Sequence, residues 1–370
     1  MRGDGVRVLI VGAGVAGLTT ARLVRRWGAE VELIERTSAP APSGTGIYLL
    51  GNAVRALDAV GLARPVADLA VRIRRQCTAD HRGRPLFDVD ADEIWGSIGP
   101  CLAMHRADLH RILLDGAADI PIRWNDSPQM ITPDGPAVTV ETTASHVGRY
   151  DLVVGADGVH STVRRLIFEV GGATPVGQYA YRFLAPWDGP PDRWSVRLGQ
   201  DSAFLTIPIG NGQVYCYCDG PIRDPITPLR NLLSDYAEPI GTLFGTLDTK
   251  DSAGVQAGPI EEVTLDTWSR GNVLLIGDAA HATSPNMAQG AAMALEDALI
   301  LAESLDTATS ITQVPEVFER RRRPRTDWVL AQSHRRDRAR NLKPGIRDVA
   351  LRHFGKRIVR ANYRPLIENP

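Results

Sequence analysis

Arg7-Val8-Leu9-Ile10-Val11-Gly12-Ala13-Gly14-Val15-Ala16-Gly17 runs a short apolar stretch into a G-x-G-x-x-G turn. The apolar stretch reads as a buried strand. Leu18, Ala21, Leu23 and Val24 follow at helical spacing, and Gly28 ends that helix just after Trp27. Val31-Glu32-Leu33-Ile34 forms a second strand that stops on Glu35. The whole is a β-α-β unit with an acid closing its second strand, the layout of a dinucleotide site.

Each residue type has a reason. Gly12 allows the tight turn out of the strand, Gly14 lets a pyrophosphate approach the backbone, and Gly17 lets the helix pack on the sheet. The first N–H groups of the helix, around Val15, Ala16 and Gly17, face the phosphates with the positive end of the dipole. Glu35 accepts hydrogen bonds from ribose hydroxyls. The unit serves NAD(P) and FAD alike, so the rest of the chain must decide.

At 370 residues the chain predicts about two domains. A net charge of −1 argues against a general nucleic-acid binder, and no apolar stretch has the length of a membrane span. The apolar start is a strand carrying the glycine fingerprint, not a signal peptide. Cys77, Cys101, Cys216 and Cys218 form no C-x-x-C and read as reduced thiols of a cytoplasmic protein. Cys216 and Cys218 share one strand face. No His or carboxylate pattern completes a metal site, so they read as small core residues.

Residues 37–46 form a loop whose Gly44, Thr45 and Gly46 permit close backbone approach, and a helix opens at Asn52. Residues 72–90 read as a β-hairpin turning at residues 80–84, the first sign of an inserted second domain. A helix over residues 104–114 has Arg106 near its start. A cation sits badly there with the dipole, which an anionic ligand would explain; His105 and His110 read as surface residues. Strands over residues 120–124, 137–142 and 149–154 lead to Gly155-Ala156-Asp157-Gly158, a turn presenting a carboxylate at the edge where open α/β sheets bind ligands.

Residues 177–265 change to short alternating strands, read as antiparallel sheet, with one helix over residues 228–236. In the strand over residues 213–218, Tyr215 and Tyr217 share the face opposite the two cysteines. The α/β pattern returns with Val273-Leu274-Leu275-Ile276, then Gly277-Asp278-Ala279-Ala280-His281, a loop through Pro285, and a helix over residues 291–305. Asp278 accepts from ligand hydroxyls, and the helix start offers free N–H groups. The arginines from Arg320 to Arg340, interleaved with acids, read as a solvated helix face rather than a nucleic-acid patch.

The three turns together resemble the single-component FAD-dependent aromatic hydroxylases with the p-hydroxybenzoate hydroxylase fold. The resemblance covers residues 6–340. It implies an α/β protein, a Rossmann-like FAD-binding domain with an inserted antiparallel-sheet substrate domain and C-terminal helices. The expected boundaries are 1–71, 98–176 and 266–340 for the discontinuous FAD domain. They are 72–97 and 177–265 for the substrate domain, and 341–370 for a helical tail.

By the same resemblance, Glu35 binds the adenosine ribose with Arg36 beside the adenine. Arg106 touches the FAD phosphate or ribitol, and Asp157 lies near the pyrophosphate and the nicotinamide's path. Asp278 binds the ribitol and Pro285 packs near the isoalloxazine. Ala288, Gln289, Gly290, Ala291 and Ala292 give backbone N–H groups to the flavin N1–C2=O edge. Ala288 replaces the family's usual glycine, and Ala291-Ala292 lacks a usual asparagine. Asn286 stands where urate-oxidising relatives carry aspartate.

The implied activity uses NADH or NADPH and O2 to hydroxylate a small aromatic or heteroaromatic substrate through a flavin C4a-hydroperoxide. Tyr215 is the candidate substrate contact, and no catalytic base is singled out. A flavin reductase or dehydrogenase without oxygen insertion is the alternative. A homodimer is left open.

Overall fold

The computed structural model describes residues 3–39, 45–168, 172–221, 233–245 and 254–370. Gly44, and most of the helix expected over residues 228–236, lie outside the described residues.

The first sheet has six strands in the order β18-β19-β12-β1-β2-β8. These are β1 (Arg7–Val11), β2 (Glu30–Glu35), β8 (Ile122–Trp124), β12 (Leu152–Gly155), β18 (Ser269–Arg270) and β19 (Val273–Leu275). All pairs are parallel except the short edge strand β18. Val8, Leu9 and Ile10 have no exposed surface, as a strand covered on both faces requires. Helix α1 (Val15–Trp27) packs on this sheet and against the long helix α9 (Gly290–Thr307). The meander β9 (Pro128–Asp134), β10 (Ala137–Thr142) and β11 (Val147–Tyr150) packs on β1 and β12. A small sheet places β7 (Leu102–His105) between β3 (Gly46–Leu49) and β4 (Val71–Arg72). Around these lie α2 (Gly51–Ala59), α3 (Ala63–Leu69), α4 (Asp92–Trp95), α5 (Arg106–Asp115) and α6 (Thr162–Phe168).

The second large sheet has the order β17-β13-β16-β15-β14-β5-β6. Its strands are β5 (Arg75–Asp80), β6 (Pro85–Asp90), β13 (Thr174–Pro186), β14 (Arg193–Leu198), β15 (Ala203–Gly210), β16 (Gln213–Pro221) and β17 (Gln256–Glu262). It is not wholly antiparallel, because β5 and β14 run parallel. The hairpin β5–β6 arrives from far away in sequence, so no tight turn dictates its direction. One face joins the main core through Ile207, Ile209, Tyr215 and Tyr217. The other face, with Phe183, Phe204, Cys216 and Cys218, forms a second core with Ile240 and Leu243 of α7 (Ile240–Gly245). The tyrosines and cysteines thus sit on opposite faces, as period-two alternation requires.

After α8 (Asp278–His281) and α9 come α10 (Val314–Arg340) and α11 (Pro344–Ile367). Here one sequence expectation fails. The arginines of α10 are not simply a solvated face: Arg322 is fully buried and Arg340 is only 8% exposed. Their buried acid partners come from other segments of the chain, which sequence spacing on one helix could not reveal.

Candidate active site

Three parallel strands end level with one another. Val11 pairs with Gly155, and Gly155 with Leu275. The turns that follow them therefore leave the sheet at one edge, the edge where such sheets bind ligands. Gly12 has φ +108°, and a Cβ on it would lie 2.4 Å from the Ala156 carbonyl oxygen. A Cβ on Gly17 would lie 1.8 Å from the Gly12 oxygen. Gly277, at φ +58°, would place a Cβ 3.0 Å from that of Ala16. The first and last turns, some 260 residues apart in the chain, are in contact.

Gly14 differs from its neighbours. Its φ of −82° suits any residue, and a Cβ there would meet nothing within 4 Å. Neither strain nor packing asks for glycine. The open space lies in front of the α1 N-terminus, whose first turn has no side-chain cap. Unpaired N–H groups facing a gap that a side chain would fill form a cradle suited to a pyrophosphate.

Glu35 is half-buried beside this cradle. Its Oε2 accepts from Ala13 N at 2.8 Å and its Oε1 from Thr37 N at 2.9 Å. Each oxygen keeps a lone pair for a ribose hydroxyl. Arg36 is exposed next to it. His110 is not a free surface residue as expected: its Nε2 lies 2.7 Å from Ala13 O, bracing the glycine turn from α5. Asp157 does not present its carboxylate to the groove. It turns back on α6, accepting from Ser161 Oγ at 2.5 Å, Thr162 N at 2.6 Å and Val163 N at 3.2 Å. An acid at the mouth of a helix finds those unpaired N–H groups first. Burial raises its carboxyl above the usual range, against those bonds. Asp278, by contrast, is exposed and its carboxylate has no partner among the described residues.

The loop after α8 carries Pro285–Met287 as one 3-10 turn, followed by Ala288 in the left-handed region at φ +51°. That backbone explains why glycine suits the position and why alanine carries mild strain there. Gln289 then leads into α9, and no side chain caps its first turn at Gly290, Ala291 and Ala292. The loop is pinned from behind. Asn286 Nδ2 donates to Asp337 Oδ1 at 2.9 Å and Ser333 O at 3.2 Å, and Arg336 donates to Asn286 O at 2.7 Å. Asn52 donates to Gln289 Oε1 at 2.9 Å and to Glu296 Oε1 at 3.1 Å.

Below these turns lies a buried charge network that sequence reasoning missed. Asp297 Oδ2 accepts from Gly277 N and from His281 Nε2, each at 2.7 Å. Arg322 donates to Asp297 at 2.8 Å and to Glu296 at 3.1 Å, and Arg325 also binds Glu296. Burial pushes the Asp297 carboxyl up, but the His281 and Arg322 charges and the hydrogen bonds outweigh it and hold it at about 2. The Glu296-Asp297 pair amid apolar helix residues was the available signal, since buried acids demand partners.

In the second sheet, Tyr215 packs against β3. A Cβ on Gly46 would lie 2.5 Å from that of Tyr215, so the close approach expected at Gly46 is made to a tyrosine ring. Burial pushes the Tyr215 phenol above its ordinary range, against the pull of Arg182 and Arg106. Arg182 lies 5.4 Å from the Tyr217 ring centroid. Neither Arg106 nor Arg182 has an acidic partner among the described residues. The phenol of Tyr217 donates to Asp219 at 2.8 Å, and Arg340 clamps both oxygens of Asp219 at 2.7 Å. No cluster of three or more metal-ligating side chains occurs among the described residues.

The family model for an FAD binding domain matches residues 5–332. The chain belongs to the single-component FAD-dependent aromatic hydroxylases. This flavoprotein monooxygenase is 33% identical to the 2-heptyl-3-hydroxy-4(1H)-quinolone synthase of Pseudomonas aeruginosa, covering 88% of this chain and 87% of that one. It is also 33% identical to the 3-amino-4-hydroxybenzoate 2-monooxygenase of Streptomyces cremeus, covering 90% and 86%. Its fold superposes on Klebsiella pneumoniae HpxO complexed with FAD and uric acid with a TM-score of 0.90 at 22% identity, covering 100% and 98% of the chains.

The cofactor is FAD, and the cradle at Gly14 and the free Asp278 carboxylate fit it. Asp278→Ala is expected to weaken FAD binding about 10- to 100-fold, the worth of one or two charge-assisted hydrogen bonds. Fluorescence titration of the apoprotein measures it. An unchanged dissociation constant would place the ribitol elsewhere.

Proposed function

We propose that the enzyme uses NAD(P)H and O2 to hydroxylate a small aromatic or heteroaromatic ring, by the oxygen-transfer route that the resemblance implies. Bound FAD supplies the electron-transfer and oxygen chemistry. In this reading Glu35 holds the adenosine ribose and Arg36 lies beside the adenine. The N–H groups at Val15, Ala16 and Gly17 hold the pyrophosphate, and Asp278 holds the ribitol. Arg106 serves the phosphate or ribitol, and Asp157 shapes the neighbouring turn through its helix cap. Pro285 lies near the ring system. The N–H groups from Ala288 to Ala292 face the flavin N1–C2=O edge, where the α9 dipole stabilises negative charge.

The observation that carries this reading is the chain of polar contacts that fixes the loop before α9 to the tyrosine face of the sheet. Asn286 of the loop bonds Asp337, Arg340 joins Asp337 to Asp219, and Asp219 accepts from Tyr217 of the sheet; a ring held between loop and sheet would be kept from water. Tyr215, with its pKa raised, is neutral near pH 7 and acts as a hydrogen-bond donor to substrate, not as a base. Arg182 offers charge to a ring bearing hydroxylate or carboxylate. The relatives' names point the same way, toward hydroxylated or amino-substituted rings. Urate fits less well, because Asn286 is neutral and its amide nitrogen is committed to Asp337 and Ser333.

A screen of small phenols, aminobenzoates and quinolones for stimulated NAD(P)H oxidation, with mass detection of an added oxygen, tests this. At least one compound is expected to gain 16 mass units, one oxygen atom, at about stoichiometric coupling. NAD(P)H oxidation without oxygen in any product would favour the reductase alternative.

A further inference from the structure

Helix α11 has two faces of opposite character. Its inner face is built into the protein. Gly355 packs against Phe87, where a Cβ would lie 2.2 Å from the ring, and the Tyr363 ring lies tilted over Trp95 with centroids 5.1 Å apart. Arg347 donates to Gly199 O at 2.6 Å and pairs with Asp348 at 3.0 Å. These contacts hold the helix to the substrate sheet, and Arg55 and Arg325 hold its end by donating to the Ile367 and Pro365 carbonyls, so the orientation of the helix is set.

The outer face has no such partners. Five of the eight exposed large apolar side chains among the described residues lie between residues 342 and 358. Ile346 is 65% exposed, Val349 53% and Phe354 57%. Stepping three or four residues at a time, the outward stripe runs Ile346, Val349, His353, Arg357, Arg360 and Arg364. It starts apolar at Ile346 and Val349, passes His353 and turns cationic at Arg357, Arg360 and Arg364, with exposed Phe354 and Ile358 flanking it. Residues 342–370 carry seven lysines and arginines against two carboxylates, on a chain whose net charge is −1. Arg360 pairs with Glu93, but Arg352, Lys356, Arg357 and Arg364 have no acidic partner among the described residues.

We propose that α11 docks this enzyme on an anionic lipid surface. Charge complementarity selects that occupant. An antiparallel pair of α11 helices would set each cationic half against an apolar half. A parallel pair would set arginine against arginine. An anionic bilayer takes both halves at once, with apolar side chains among the acyl chains and guanidinium groups at the headgroups. The helix lies on the surface. No helix among the described residues is long and apolar enough to cross a membrane.

The test is vesicle flotation of the FAD-loaded full chain. The vesicles are phosphatidylcholine alone, or phosphatidylcholine with about one-third phosphatidylglycerol. Flotation is expected only with phosphatidylglycerol and is expected to weaken with added salt. Lys356→Gln with Arg357→Gln should lower the partition coefficient roughly 25-fold, at about fivefold per charge. Ile346→Ser with Phe354→Ser should lower it at least about tenfold. Both pairs are exposed, so FAD content and melting temperature should stay unchanged. No flotation at low salt would overturn the proposal, as would flotation that both double variants leave intact. A concentration-dependent dimer by ultracentrifugation, lost in Ile346→Ser with Phe354→Ser while vesicles are ignored, would assign the face to a second copy and overturn it too.

Discussion

Gly14→Val is expected to give a folded protein that binds FAD roughly a hundredfold more weakly, whereas Gly17→Val is expected to give little folded protein. The two glycines belong to one fingerprint but answer to different physics. At Gly17 an added Cβ would stand 1.8 Å from the Gly12 oxygen, inside the turn itself. The backbone must move, at a cost of about 3 kcal/mol or more. At Gly14 the added atoms meet no protein, and φ of −82° tolerates them. They occupy the space in front of the α1 N–H groups instead. Losing two charge-assisted hydrogen bonds to a pyrophosphate corresponds to about 3 kcal/mol, roughly a hundredfold in affinity. Denaturant unfolding of the apoproteins and FAD titration separate the effects. Near-normal FAD affinity in Gly14→Val would remove the phosphate from this turn.

Arg322→Met is expected to destabilise the fold by about 3–5 kcal/mol, because it leaves Glu296 and Asp297 buried with a cation removed. Adding Asp297→Asn should recover part of that loss, since the remaining charge is then halved. If the single variant unfolds within about 1 kcal/mol of the parent by denaturant titration, the network is not a buried ion cluster. The same network shapes the acid limb of stability. Asp297 titrates at about 2 in the fold and near about 3.9 in an unfolded chain. A lowered folded pKa gives stability that is present above the unfolded value and fades as pH falls through the folded one, from about pH 5 to about pH 1. The loss over that window should include about 2–3 kcal/mol from this carboxylate, and Asp297→Asn should lose correspondingly less.

The consequences of Arg322 reach the cofactor site through one short path. Its partner Asp297 holds Gly277 N, and Gly277 turns the chain so that Asp278 faces outward. An FAD affinity that falls in Arg322→Met while the protein is still folded at low denaturant would measure that coupling.

The fold class, the glycine turn and the two faces of the strand carrying Tyr215 and Cys216 were legible in local residues. Strand β1, helix α1 and the acid at the end of β2 follow from hydrophobic period and glycine chemistry over about thirty residues. The opposite faces of Tyr215 and Cys216 follow from the period of two in a strand. These are properties of neighbours in the chain, and neighbours are what a sequence specifies directly.

What the tertiary structure decided concerns partners far apart in the chain. Asp157 looked like a ligand contact until α6 supplied nearer donors. His110 looked exposed until α5 was laid against the glycine turn. Arg322 looked solvated until α10 was seated over α9. In each case the side chain's role depends on which polar groups the folded chain brings within about 3 Å. The strand and turn residues determined that a dinucleotide cradle forms. Only the packing of distant helices decided which charges face it and which are buried beneath it, because desolvation and pairing depend on three-dimensional neighbours.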